Sequence, residues 1–232
     1  MPFDRQRRLV FLHVPKTAGT SIEQALGLYG PWDQENLATG FGLIQSRDIL
    51  ARNLSSNFLQ HLSLNELESL FPDALTEAQL FTVVRDPWAR LLSSFRNPDP
   101  DLANYYRFRT HRDFNELSLA EYIDVARWLP HPHLKPQLNM LSTNNGTPDP
   151  RVRVFHQEKL AELEQWLSQH CGELIRLPHH NSARRPLPDL TEANWAELEQ
   201  QVRWLYAASR YHSSSASARK ARATGMASRR LA

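Results

Sequence analysis

Hydrophobic positions along the chain fall into two alternating rhythms. Arg8-Leu9-Val10-Phe11-Leu12-His13 and Leu80-Phe81-Thr82-Val83-Val84 are short continuous apolar runs, the pattern of strands buried on both faces. Residues 151–155 read as a further strand, and residues 174–177 as another. Between these runs the apolar positions recur at helical spacing. The pattern predicts a helix over 20–28, with Ile22, Ala25 and Leu26 on one face, and another over 88–96, with Pro87 suited to an early helical position. Ser63/Glu66 and Ser118/Glu121 fit capping boxes, predicting helices over 64–71, stopping near Pro72, and from 118 toward Trp128. A helix over 157–170 ends at Gly172, a C′ glycine. Thr191 caps a last helix in which Trp195, Leu198, Val202 and Leu205 repeat. Pro130, Pro132 and Pro136 make residues 129–137 irregular.

Strands alternating with helices predict an α/β fold with a largely parallel sheet. Ligands of such sheets bind outside the carboxyl ends of the strands. Two loops leave strands in that way, residues 14–19 and 85–87. Residues 211–232 have no apolar period and predict a disordered tail. Residues 1–210 are then expected to form one domain.

Composition narrows the function. The chain has 232 residues, 41% hydrophobic, enough for a buried core and too apolar for a disordered or fibrous protein. Cys171 is its one cysteine, so no internal disulfide and no Cys-rich zinc site can form. Residues 9–14 are the most apolar early run, too short for a membrane span or a signal peptide, which points to a cytosolic protein. Triplets at Asn53 and Asn145 match glycosylation acceptors only by chance in that setting. Basic residues number 27 against 25 acidic, a net +2 that argues against a nucleic-acid binder. Five of the basic residues lie in 211–232 with no acidic ones, leaving 22 against 25 in the body. Any anion site must therefore be locally positive.

His13-Val14-Pro15-Lys16-Thr17-Ala18-Gly19-Thr20-Ser21 has the parts of a phosphate site. Gly19 permits close backbone approach, Lys16 brings charge, Thr17, Thr20 and Ser21 bring hydroxyls, and a helix N-terminus follows. An ordinary strand-loop-helix corner with a solvated lysine is the alternative. No glycine precedes Lys16 at Walker A spacing, which disfavours a magnesium-dependent nucleoside triphosphatase.

The run Phe11 to Ser21 resembles the 5′-phosphosulfate loop of carbohydrate sulfotransferases, which use 3′-phosphoadenosine 5′-phosphosulfate (PAPS). It is closest to the subgroup of heparan sulfate 2-O-sulfotransferase and its bacterial relatives. Thr82-Val83-Val84-Arg85-Asp86-Pro87-Trp88-Ala89-Arg90-Leu91-Leu92-Ser93 is similar to the same family's 3′-phosphate motif, with Arg85 closing the strand and Ser93 eight positions later. The resemblance implies a P-loop-like three-layer fold, PAPS as donor and 3′-phosphoadenosine 5′-phosphate (PAP) as product, with no metal. It implies that Lys16, Thr17, Ala18, Gly19, Thr20 and Ser21 hold the 5′ end and Arg85 and Ser93 the 3′-phosphate. A surface turn at Arg85-Asp86, a filler role for Ser93 and a local carboxylate partner for Arg90 are the plain alternatives. Trp88, Leu91, Leu92 and Phe95 read as core.

Phe58-Leu59-Gln60-His61-Leu62-Ser63 is similar to the segment carrying the catalytic histidine in that subgroup, which implies His61 as base. Where the subgroup often shows His-Gly-His, this chain has Leu59-Gln60-His61, so the acceptor is expected to differ. A histidine packed beside a helix start is the other reading. His13 reads as structural. His131 and His133 have metal-like spacing but no accompanying carboxylate or cysteine. His133-Leu134-Lys135-Pro136-Gln137 resembles a His-x-x-Pro-Gln element of bacterial members. Residues 178–184 resemble a late loop closing over the nucleotide, with Ser182 and Arg184 toward the 3′-phosphate or adenine.

The expectation is in-line transfer of a sulfuryl group to a hydroxyl, on a carbohydrate by family precedent, in a bacterial cytosolic enzyme. His61 takes the proton and Lys16 stabilises the leaving phosphate. A non-catalytic nucleotide- or sulfated-glycan-binding module, a P-loop-like kinase or phosphatase, and a nucleic-acid partner bound through the tail are the rivals.

Overall fold

In the computed structural model of the chain, residues 2–44, 54, 56–142, 147–179 and 185–207 are described. Ser182, Arg184, His180, the two Asn triplets and the predicted tail lie in part or wholly outside them.

A four-stranded sheet organises the chain, in the order β1 (Phe3–Asp4), β2 (Leu9–Leu12), β3 (Gln79–Val84), β4 (Val152–His156). β2, β3 and β4 run parallel, and only the two-residue β1 is antiparallel. The short edge strand pairs with β2 through Phe3, which is buried, and was not legible as a strand at two residues. The expected largely parallel α/β architecture is thus the one observed.

Side-chain alternation sorts the strands' residues between two layers. Val10, Leu12, Leu80, Val84 and Val152 join Leu59, Leu62 and residues of α2 (Leu64–Leu70) in one cluster. Leu9, Phe11, Phe81, Val83 and Phe155 pack on the other face against α1 (Gly19–Leu26) and α8 (Leu160–Cys171). The chain thus has helices on both faces of the sheet. A third cluster gathers four helices, α4 (Pro87–Arg96), α5 (Pro100–Thr110), α6 (Leu119–Trp128) and α9 (Glu192–Leu205), with Phe114, Leu117, Leu129 and Leu134 from the segments between them. Trp88, Leu91 and Phe95 are core there, and Leu92 is half-buried against them.

Both capping boxes form, at Ser63/Glu66 and Ser118/Glu121. α2 ends at Leu70, close to the expected stop near Pro72; Phe71 turns the chain, and Pro72 opens a further four-residue helix, α3 (Pro72–Leu75). The Gln157–Lys159 segment is a 3₁₀ turn, and the α-helix begins only at Leu160. α5 had no strong amphipathic signal, because only Leu102 and Tyr106 of its face are buried. Its start was encoded all the same, by Asp99, which accepts from Asp101 N, and by Pro100.

Residues 174–177 are not a strand. Their backbone donors go to α8 side chains instead: Ile175 N–H to Ser168 Oγ at 2.9 Å, Leu177 N–H to Glu164 Oε1 at 2.8 Å. An apolar pair in a return segment can satisfy its backbone without a ladder. Among the described residues no helix is long and apolar enough to cross a membrane.

Candidate active site

Parallel pairing of β2 with β3 sets Leu12 opposite Thr82, and the Thr82 hydroxyl donates to the Leu12 carbonyl at 2.7 Å. The two loops that leave these strands are therefore neighbours. Arg85 Nη1 donates to the Lys16 carbonyl at 3.3 Å, across 69 positions of sequence.

The first loop is wound tightly. Lys16 and Ala18 both hold left-handed backbone, φ 69° and 73°. Non-glycine residues avoid that region at a cost of roughly 1–2 kcal/mol each. Alternating backbone handedness of this kind turns successive N–H groups toward a common point, an anion nest. Ala18 caps α1 without a side-chain hydrogen bond, and no acidic residue lies in the first turn. The first N–H groups of α1 are left with their dipole facing the loop's mouth.

Thr17 is fully buried, and its hydroxyl donates to the Val14 carbonyl at 2.7 Å, so that side chain braces the loop from within. Thr20 is exposed at the start of α1, and Ser21 is buried beside it. Gly19 is required by space: a Cβ there would run into the His13 imidazole. His13 is fixed in turn by Glu23 of α1, Nδ1 to Oε1 at 2.7 Å, both side chains buried. The carboxylate makes Nδ1 the protonated nitrogen. His13 is thus the strut under the loop.

The Lys16 ammonium reaches across to the Asn97 carbonyl at the end of α4, 2.6 Å away. Ser93 lies on the last turns of that helix, half-buried, and its carbonyl accepts from Asn97 N–H at 3.1 Å. Arg85 is held by its backbone. Gln137 Oε1 accepts from Arg85 N–H at 2.9 Å, and Gln137 Nε2 donates to the Arg85 carbonyl at 2.8 Å. The Arg85 guanidinium is largely buried, has no ion pair among the described residues, and leaves Nε without a partner. Burial lowers its pKa, opposed by the fields of Glu158 and Asp86. Asp86 itself is committed to Arg203 at 3.0 Å and to capping α4.

Among the described residues Arg90 pairs with no carboxylate. It is buried and donates to main-chain carbonyls of Pro15, His133 and Lys135, with Tyr206 of the α9 end 5.8 Å from its guanidinium carbon. It ties the first loop, the proline-rich segment and the last helix into one body. Sequence reading passed over this role because its partners are carbonyls far along the chain.

His61 ends a 3₁₀ turn, Leu59–His61, just before the Ser63 cap. Its ring lies edge-on to His13 at 4.7 Å and to His133 at 5.4 Å; His131 follows His133 at 5.3 Å. The backbone of His13 lies where it favours the protonated form of His61, while the Nδ1 atoms of His61 and His133 are buried with no partner. His131 Nε2 reaches Asp101 at 3.1 Å, and its Nδ1 accepts from His133 N–H. Burial, reinforced by the neighbouring imidazoles, pushes the pKa of both His61 and His133 well below the usual histidine value. Carboxylates do accompany the 131/133 pair, Asp101 and, at 3.8 Å, Asp99, although no group of three or more metal-ligating side chains is arranged for a metal among the described residues.

Lys16, Gly19, Arg85, Ser93 and His61 are thus gathered at the carboxyl ends of β2 and β3. A family model described as Sulfotransferase family matches residues 2–143. The chain belongs to the sulfotransferase family. Sulfuryl transfer is accordingly its class of reaction. The match spans every one of those residues and also His133 and Gln137 of this sulfotransferase; α8 and α9 lie beyond it. Comparison with curated proteins and with solved structures gave no match.

Proposed function

We propose that the protein is a PAPS-dependent sulfotransferase acting on a hydroxyl of a carbohydrate, with His61 as the base. The observation that carries this reading is a largely buried arginine, Arg85, with no counter-ion among the described residues and an orphaned Nε, beside a helix start without a side-chain cap. Cations are left unpaired in a partly buried position at a cost, and a bound anion removes that cost. The residues fit a nucleotide with phosphates at both ends. Lys16 and the N–H groups of Ala18, Gly19, Thr20 and Ser21 would hold the 5′-phosphosulfate, with Thr17 bracing the loop. Arg85 and Ser93, joined by Ser182 and Arg184, would hold the 3′-phosphate. When bound, PAPS supplies the activated sulfuryl group.

The chain's own residues do the rest. His61 Nδ1 has no hydrogen-bond partner and is the nitrogen assigned to take the acceptor's hydroxyl proton. Burial holds the ring neutral at neutral pH. His61 is 9% exposed, so acceptor entry entails displacement of a neighbouring ring. Lys16 is placed to meet negative charge growing on the leaving phosphate, a preorganised contact worth on the order of a hundredfold in rate.

Purified protein, labelled PAPS and a panel of oligosaccharides and small alcohols test this. Transfer should fall by about a hundredfold or more in Lys16→Met. It should be nearly lost in His61→Ala, with PAP affinity kept. Unimpaired transfer in His61→Ala removes the base; PAP binding without transfer to any acceptor favours a non-catalytic binding module.

A further inference from the structure

Eight large hydrophobic side chains are well exposed among the described residues, and three of them fall within nine consecutive positions: Tyr29 (60%), Trp32 (62%) and Leu37 (40%). Trp32 is not isolated from the site. Its ring lies 6.2 Å from Phe58, and Phe58 lies 6.4 Å from His61. A ledge of aromatic surface thus runs from solvent to one ring short of the candidate base.

The ledge is built rigidly on the turn that carries His61. Asn36 and Phe41 exchange both backbone hydrogen bonds, and the Asn36 side chain accepts from Ala38 and Thr39 N–H. Gly42 takes φ 91°, and a Cβ there would strike the Gln34 carbonyl, so the two limbs of the loop touch. Leu59 N–H donates to the Gly42 carbonyl at 2.9 Å, and Gly42 N–H to the side chain of Gln60, the neighbour of His61, at 3.0 Å. Trp32 sits on a loop braced in this way, against Phe58, and is still 62% exposed, which marks it as a contact surface.

We propose that Trp32, with Phe58 behind it, is the acceptor subsite, and that the acceptor is an uncharged, equatorially substituted pyranose oligosaccharide. The proposal rests on the sulfotransferase reading above and specifies its substrate class. A pyranose with equatorial hydroxyls presents a flat apolar C–H face that packs on an indole, while its edge hydroxyls remain free for a base or a carboxylate. Charge selects among glycans. Residues 28–44 contain no lysine or arginine, so this segment offers a polyanionic chain no cation to bind.

The test uses chitotetraose, cellotetraose and laminaritetraose as neutral probes and an N-acetylheparosan tetrasaccharide as the anionic one. Direct binding by calorimetry and transfer from PAPS are both read. At least one neutral tetrasaccharide should bind and accept sulfate better than the anionic one. Trp32→Ala should weaken that binding, and raise its KM, at least tenfold with kcat little changed; Trp32→Phe should recover most of the loss. PAP affinity should not move, since the ledge lies on the acceptor side. Equal binding by wild type and Trp32→Ala, preference for the anionic probe, or no binding of any neutral probe overturns the ledge. Neutral-probe binding that depends on Trp32, in a protein that neither binds PAP nor transfers sulfate, upholds the ledge and removes the sulfotransferase mechanism instead.

Discussion

The two ends of the parallel sheet both carry arginines, and they treat them in opposite ways. At the amino end a broad recess of about 880 Å³ is lined by Arg7, Arg8, Glu77, His170 and Glu173 among others. There Arg7 bonds Asp4 at 2.9 Å and Glu173 at 2.7 Å, and Arg8 lies 3.3 Å from Glu77. At the carboxyl end Arg85 has no ion pair among the described residues, and Arg90 is surrounded by carbonyls and phenols. The arginines of the recess are therefore compensated, whereas Arg85 at the junction of the loops has no ion pair among the described residues. Charge compensation points to the end where parallel strands deliver their loops.

Removing one arginine from each end tests that contrast most directly. Arg85→Ala should weaken PAP binding about ten- to a hundredfold, the value of charge-assisted hydrogen bonds to a phosphate. Arg7→Ala should leave PAP affinity unchanged and cost about 1 kcal/mol of stability, since its pairs are partly exposed. Calorimetric titration with PAP reads the first and chemical denaturation the second; equal losses of PAP affinity would erase the distinction between the ends.

The strut beneath the loop offers a second comparison. Gly19→Ala pushes a methyl into His13 and should cost about 1–3 kcal/mol of stability. Coupling with His13→Ala should be strong: the double variant should lose less than the two single losses added together. Additive losses in urea unfolding would mean that the two residues do not share the loop.

Acid should act on the carboxyl end selectively. The folded pKa values of His61 and His133 lie below the ordinary 6.5, so between the two values the unfolded chain binds more protons. Stability should therefore fall as pH drops below about 6.5. Thermal midpoints measured from pH 7.5 to 5 should decline less steeply in His133→Gln than in wild type. The smallest effect expected is that of Ser93→Ala, a loss of about three- to tenfold in PAP affinity, the range of one neutral hydrogen bond.

Much of this was legible along the chain. The strands β2 and β3, the capped helix starts, the tight loop around Gly19 and the arginine closing β3 are all local patterns. They were readable because periodicity, caps and turns depend on neighbours in sequence. Residues 174–177 misread for the opposite reason: nothing local announces that Ser168 and Glu164 will take their N–H groups. Arg90 invited a carboxylate partner and found the carbonyls of Pro15, His133 and Lys135.

By itself, the sequence determined the strands β2, β3 and β4 and the capped helices, that the sheet is largely parallel, and which loop has the parts to wrap an anion. Only the tertiary structure decided the company those residues keep. It set His133 against His61 across more than seventy positions, clamped Arg85 with Gln137, and ran aromatic rings from Trp32 through Phe58 to His61. Hydrogen bonds within a turn are fixed by short-range geometry, whereas these contacts exist only after parallel strands bring distant loops to one edge of the sheet.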